Sequence, residues 1–318
     1  MLGDPAPTPF DPALLRGAPD LRPLGIDPGR EGWHHVRHGA WVEEAVWGGL
    51  TPEQRHAALV HATDLAARRQ GRHVYVLESA AAVWGLPVIG GWPRHVSVLR
   101  SRPEQRGSAV VRVHVGLPSG GVPKDGVRVT GVARTVVDLA RMRSFESGLT
   151  AADHALRHGL ASPGDLAAAA AEVPARVWGR PRALLVAELA DGRSMSPGES
   201  LSRARMYTLR LPRPELQVPL EDDDGFIGLG DFGWPGVVGE FDGRRKYAVP
   251  DGADAAAAEQ ALWAEKLRED RIRRRWRLAR WVWADALDEA RMARILLAQG
   301  VKPVPRPRWV DLAARDAS

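Results

Sequence analysis

The sequence predicts a mixed α/β protein built as two domains. Three observations carry the prediction. At 318 residues the chain exceeds what one small hydrophobic core organises. From Trp33 onward, stretches of alternating apolar residues interleave with stretches of helical period. After the Gly-Arg-Ser loop near Arg193 the pattern restarts as a short α-β-β-β-α-β series. The expected layout is a poorly ordered segment over 1–30, an α+β module over 31–192, a mixed-sheet α/β domain over 193–290 and a tail over 291–318.

In chain order, residues 1–30 are rich in Pro and Gly and show no periodicity. "WHHVRHGAWVEEAVW" reads as a β-hairpin turning near Gly39, and "TPEQRHAALVHATDLAARR" as a helix with Thr51 as N-cap and Pro52 in the first turn. "HVYVLESAAAVWGLP" is a strand feeding a helix of small residues, and "RHVSVLRS" and "AVVRVHVG" are alternating strands. A strand, a helix capped near Thr130 and a second amphipathic helix follow in "VRVTGVARTVVDLARMRSFESGLTAADHALRHG"; a further helix starts at Ser162 and another lies after Trp178. In the second domain a helix opens on Ser196 and Pro197. Strands follow in "PELQVPLED", "FIGLGDFGWP" and "GVVGEFDG", then a long helix "AAAAEQALWAEKLREDRIRRRW" and a last strand "RLARWVWADAL".

Composition narrows the chemistry. There is no cysteine, which removes disulfides, thiolate catalysis and Cys-ligated metals. No apolar run has membrane-spanning length, and the N-terminus lacks the regions of a signal peptide, so a cytoplasmic location and no membrane partner are expected. The net charge of +5 suits a polyanionic partner but owes much to an Arg-rich composition. Several motifs read as structural. Arg134 and Asp138 are spaced for an intrahelical pair, and Ser79 lacks the flanking glycines of a hydrolase nucleophile and reads as a helix cap. His34, His35, His38, His154 and His158 read as surface histidines, having no third ligand in view.

One stretch does not read as structure alone. "DFGWPGVVGEFDG" closes a β-branched strand with Glu240 and Asp242, two residues apart and so on one face, while Asp231 precedes the tight turn. Carboxylates gathered at a strand end suit a hard divalent cation, Mg²⁺ or Mn²⁺, which would polarise a phosphodiester. Lys246 and Lys266, two of only four lysines, are candidates to assist the phosphate chemistry. The alternative is that the acids solvate a hairpin end, or that Glu240 pairs with an arginine of the following helix. That helix ends in a dense basic run in which Arg271, Arg274 and Arg275 are candidate nucleic-acid contacts, unless they only complement the helix dipole.

Beyond the residues' own chemistry, "PGES", "LPRPELQ", "DFGWP", "VVGEFDG", "EKLREDRIR" and "ARWVWADAL" together resemble the Vsr-like branch of PD-(D/E)XK endonucleases over about 196–287. The resemblance implies a PD-(D/E)XK nuclease-like mixed sheet and a Mg²⁺-dependent cut in nucleic acid, DNA first. It also implies metal ligands at Asp231, Glu240 and Glu199. The element here is Glu240-Phe241-Asp242, with Asp where that family places lysine. In the first domain "VRHGAWVE", "VLESAAAVWGLP", "VTGVARTVVDLAR" and "AADHALRHG" resemble actinobacterial AbiEi-family antitoxin-like regulators over about 33–166. That resemblance implies a transcriptional regulator or antitoxin of a type IV-like system, with a wing-like hairpin, DNA binding and a cognate toxin of nucleotidyltransferase type as partner. Ahead of the hairpin the sequence offers only Pro-interrupted stretches in place of a reading helix.

Overall fold

The computed structural model describes residues 9–29, 32–67, 73–100, 108–115, 121–243, 255–305 and 309. The chain divides between Ala190 and Asp191 into two compact units, each mixed α/β. Among the described residues no helix is long and apolar enough to cross a membrane.

The segment expected to be poorly ordered carries local structure over its described part. Two 3-10 turns, Pro12–Leu14 and Arg22–Leu24, flank a short strand β1 (Arg16–Gly17) and a one-turn helix α1 (Ala18–Leu21). Its order comes from burial of Phe10 and Leu21, and from Asp20 accepting the Gly17 N–H at 2.8 Å. The hairpin follows as β2 (Trp33–Arg37) and β3 (Ala40–Glu43), with Gly39 in the left-handed region at the turn. β1 pairs with β3 to give the order β1-β3-β2. The expected continuation of the hairpin is instead a short helix, α2 (Glu44–Gly49).

Helix α3 (Pro52–Ala67) begins with a reciprocal cap. Thr51 Oγ1 accepts the Gln54 N–H at 3.2 Å, and Gln54 Oε1 accepts the Thr51 N–H at 2.9 Å. β4 (Val74–Tyr75), α4 (Leu77–Trp84), β5 (Val96–Arg100), β6 (Val111–Val115), β7 (Val122–Lys124) and β8 (Val127–Val129) come next. Their strands form a mixed sheet in the order β6-β5-β4-β8-β7, parallel at β5–β6 and β4–β8. Its core packs Val60, Tyr75, Val83, Val96, Val98 and Val129.

Four helices complete this unit: α5 (Val132–Met142), α6 (Phe145–Arg157), α7 (Pro163–Ala171) and α8 (Arg180–Leu189). Ser162 caps α7 as the sequence implies, and Arg134 pairs with Asp138 at 2.8 Å. α6 lies so close to α5 that a Cβ on Gly148 would fall 2.5 Å from the Ala140 Cβ.

The second unit opens with α9 (Pro197–Thr208), capped by Ser196. It continues through β9 (Glu215–Asp222), β10 (Gly225–Trp234), β11 (Val237–Asp242), α10 (Ala255–Arg275) and β12 (Arg277–Val282). The strand expected to run to Leu287 ends at Val282, and α11 (Trp283–Leu287) and α12 (Glu289–Ala298) follow. The sheet order is β12-β11-β10-β9, antiparallel except for the parallel β11–β12 pair that α10 connects.

The two faces of this sheet hold different chemistry. On one, Phe241 and Trp281 lie side by side, Phe241 fills the space a Gly198 Cβ would need, and Trp281 donates to Ser202 Oγ at 2.8 Å. α9 therefore covers that face. On the other, Val238 and Leu278 pack against Ile272 of α10. Strand alternation places Glu240 with Val238, on the α10 side.

Candidate carboxylate site and its arginine partners

Turn geometry does bring two of the predicted acids side by side. Phe232 pairs with Gly239, so Asp231 and Glu240 stand one step beyond the last ladder pair. There Asp231 Oδ2 accepts the Phe241 N–H at 2.8 Å, extending the hairpin's bonding by a side chain. Glu240 is buried, and a buried carboxylate needs partners. It has two: Arg268 of α10 donates to Oε1 at 2.6 Å and Arg280 of β12 donates to Oε2 at 2.8 Å. Burial alone would raise the Glu240 carboxyl, but these guanidiniums outweigh it and hold the group below its ordinary value.

The pair is part of a larger lattice of charge. Arg280 also reaches Glu265 at 2.9 Å and Glu269 at 3.2 Å, and Arg273 pairs with Glu269 at 2.7 Å. Glu265 and Glu269, four residues apart and so on one face of α10, are both held by arginines.

The other predicted site residues are placed as follows. Glu199 lies on α9, which covers the face opposite Glu240. It accepts from the Met195 N–H at 2.9 Å, Ser196 Oγ at 2.9 Å and Gln217 Nε2 at 3.1 Å. Asp242 is half-buried at the end of β11, and its Oδ1 is sealed from solvent with no hydrogen-bond partner among the described residues. Lys266 is exposed, with Nζ 5.7 Å from the centre of the Trp263 ring. Lys246 lies outside the described residues. Among the described residues no three His, Asp or Glu side chains converge where they could hold a metal ion. With both Glu240 oxygens committed to guanidiniums, this arrangement does not fit a divalent-ion site.

The candidate nucleic-acid arginines are similarly engaged. β9 ends and turns toward β10 through three consecutive aspartates, Asp222, Asp223 and Asp224, and each meets one of those arginines. Arg271 grips Asp222 with two nitrogens and holds its carboxyl down to about 2. Arg275 reaches Asp223 at 2.7 Å, and Arg274 stands 3.9 Å from Asp224.

The arginine of the following helix that the sequence offers as a partner for Glu240 is Arg268, whereas Arg280 of β12 is a second partner not singled out from the sequence. A signal was there: Arg280 interrupts the apolar strand "RLARWV" two residues after Leu278, on the face that strand buries against α10. A cation at such a position calls for a buried acid.

In the first unit, Ser79 is no cap. His56 Nδ1 lies 3.0 Å from the Pro93 carbonyl and so carries the proton, which leaves Nε2 to accept from Ser79 Oγ at 3.1 Å. Ser79 in turn accepts the Ser97 N–H at 2.9 Å. Burial pulls the His56 imidazole down to about 4, and the serine is sealed from solvent, so the pair is an internal polar brace.

A family model, the AbiEi antitoxin C-terminal domain, matches residues 24–187, which takes in nearly the whole described part of the first unit. No curated protein matches the chain.

Proposed function

This chain belongs to the AbiEi antitoxin family, through the C-terminal domain of those antitoxins, and from that premise we propose that it is an antitoxin-type regulator whose second unit binds without cutting. The observation that carries the reading is the closure of Glu240 by Arg268 and Arg280. A carboxylate held this way is already neutralised by fixed cations and contributes to folding. Its partners in the family's setting are a cognate toxin protein and nucleic acid. Among the described residues ahead of the hairpin β2–β3 the one α-helix is the four-residue α1, so on this side the reading assigns DNA contact to the wing-like hairpin rather than to a reading helix.

A second reading keeps Mg²⁺-dependent endonuclease activity in the second unit. The order α9-β9-β10-β11-α10-β12 is the one a PD-(D/E)XK-like fold implies, and the Oδ1 of Asp242, which has no partner among the described residues, is the specific feature in its favour. Incubating the full chain with supercoiled plasmid and Mg²⁺, beside an Asp231→Ala, Glu240→Ala double variant, separates the two. Equal background nicking is expected. Mg²⁺-dependent nicking that the double variant loses would establish the second reading instead. The antitoxin half is tested by growth: expression of the chain should relieve the arrest caused by its co-expressed nucleotidyltransferase-type toxin, and unrelieved arrest counts against it.

A further inference from the structure

We propose that the loop joining α7 to α8 is a contact surface for single-stranded nucleic acid. In this assignment Trp178 stacks on an unpaired base, and Arg176, Arg180 and Arg182 face the backbone phosphates. Large apolar side chains are normally buried, and this chain buries Trp281 and Trp309 almost completely. Trp178 is 72% exposed. Its ring is covered on one side by the Arg182 guanidinium, 4.9 Å from the ring centre, a pairing that leaves the aromatic surface available to a further flat group.

The loop that carries it is anchored. Arg141 Nε donates to the Trp178 carbonyl at 3.3 Å and Arg180 Nε to the Val173 carbonyl at 2.7 Å. Gly179 adopts φ +81°, and a Cβ there would fall 2.8 Å from the Arg141 Cα, so only glycine fits between the tryptophan and α5. Backbone and neighbours thus hold the indole outward.

Charge separates this surface from the more obvious basic cluster on α10. There, each candidate arginine faces an aspartate. Here, no acidic group lies within ion-pairing distance of Arg176 or Arg182 among the described residues. Helix stability does not explain the placement either: Arg180 and Arg182 sit in the first turn of α8, the end where the backbone dipole disfavours cations. Unneutralised guanidiniums around an exposed, pre-positioned indole match a ligand that alternates phosphates with unstacked bases. The inference stands apart from the antitoxin reading, since toxin relief does not depend on it.

The test is fluorescence anisotropy of a labelled oligo(dT) with the full chain, over a range of salt. Trp178→Ala should weaken binding about 10-fold with the salt slope kept, and Trp178→Phe should restore most of the loss. The Arg176→Gln, Arg182→Gln variant should flatten the slope of log K against log salt by about 1.4, from two phosphates at about 0.7 each on a single strand. Arg271→Gln, Arg275→Gln should leave affinity unchanged. The proposal is overturned if the oligonucleotide does not bind at low salt, or if Trp178→Ala binds as the unmodified chain does.

Discussion

Both units bury ion pairs, Asp138 between Arg134 and Arg141 in the first and Glu240 between Arg268 and Arg280 in the second, but all ten histidines lie in the first. One buried polar chain of the first unit is neutral: the Pro93 carbonyl, His56, Ser79 and Ser97 pass hydrogen bonds through the core, and His114 closes on Ser97 Oγ at 3.2 Å. The second unit uses full charges, with Glu240 fixed between Arg268 and Arg280 and Asp222 gripped by Arg271. Neutral bonds need exclusion of protons, whereas ion pairs need retention of charge. The units should therefore fail under different conditions.

Acid is the largest expected lever. Burial pulls His56, His61 and His154 down to about 4 from the ordinary 6.5. Between those values the unfolded chain takes up protons that the fold refuses, so their contribution is complete above pH 6.5 and falls as the pH drops toward 4. Glu53 opposes them, since burial pushes its carboxyl up to about 7 and charging it works against the fold as the pH rises from 4.5. In the second unit the depressed carboxyls of Glu240 and Asp222 keep their contribution until the pH falls below the ordinary carboxylate range. Hydrogen exchange read peptide by peptide should show the first unit losing protection at higher pH than the second; loss in one shared window contradicts the comparison.

Substitutions should sharpen it. Arg280→Leu leaves Glu240 buried with one partner and should cost about 3 kcal/mol, read by urea unfolding. Gly148→Ala forces a methyl into α5 in one unit, and Gly198→Ala forces one into the Phe241 ring in the other. Each should cost roughly 1–3 kcal/mol, with lost exchange protection confined to its own unit. Gln54→Ala removes half of the reciprocal cap on α3 and should cost about 1 kcal/mol in the first unit. Asp223→Asn is the smallest: its side chain is 95% exposed, so losing the Arg275 pair should leave the unfolding midpoint unchanged.

What the sequence revealed follows the range of the interaction. The Thr51 cap, the helix start at Ser162 and the Ser196-Pro197 start are local chemistry within one turn, and all three were legible, although the reciprocal partners Gln54 and Asp165 were not named. The tight turn that sets Asp231 beside Glu240 was legible for the same reason. Arg280 was not, because its distance from Glu240 depends on β12 returning parallel to β11 across α10, and no local pattern states which side chains that return aligns. The α10 arginines could be counted from sequence, but their engagement by Asp222, Asp223 and Asp224 depends on how far the β9–β10 hairpin projects along the helix.

The parallel return of β12 also sets a timetable. Arg268 and Arg280 lie 28 and 40 residues beyond the carboxylate they neutralise. On the ribosome the β10–β11 hairpin emerges first and holds a glutamate whose second guanidinium arrives only with the far edge strand. A nascent chain stalled just before Arg280 already carries α10 and Arg268, and would hold Glu240 against one of its two guanidiniums.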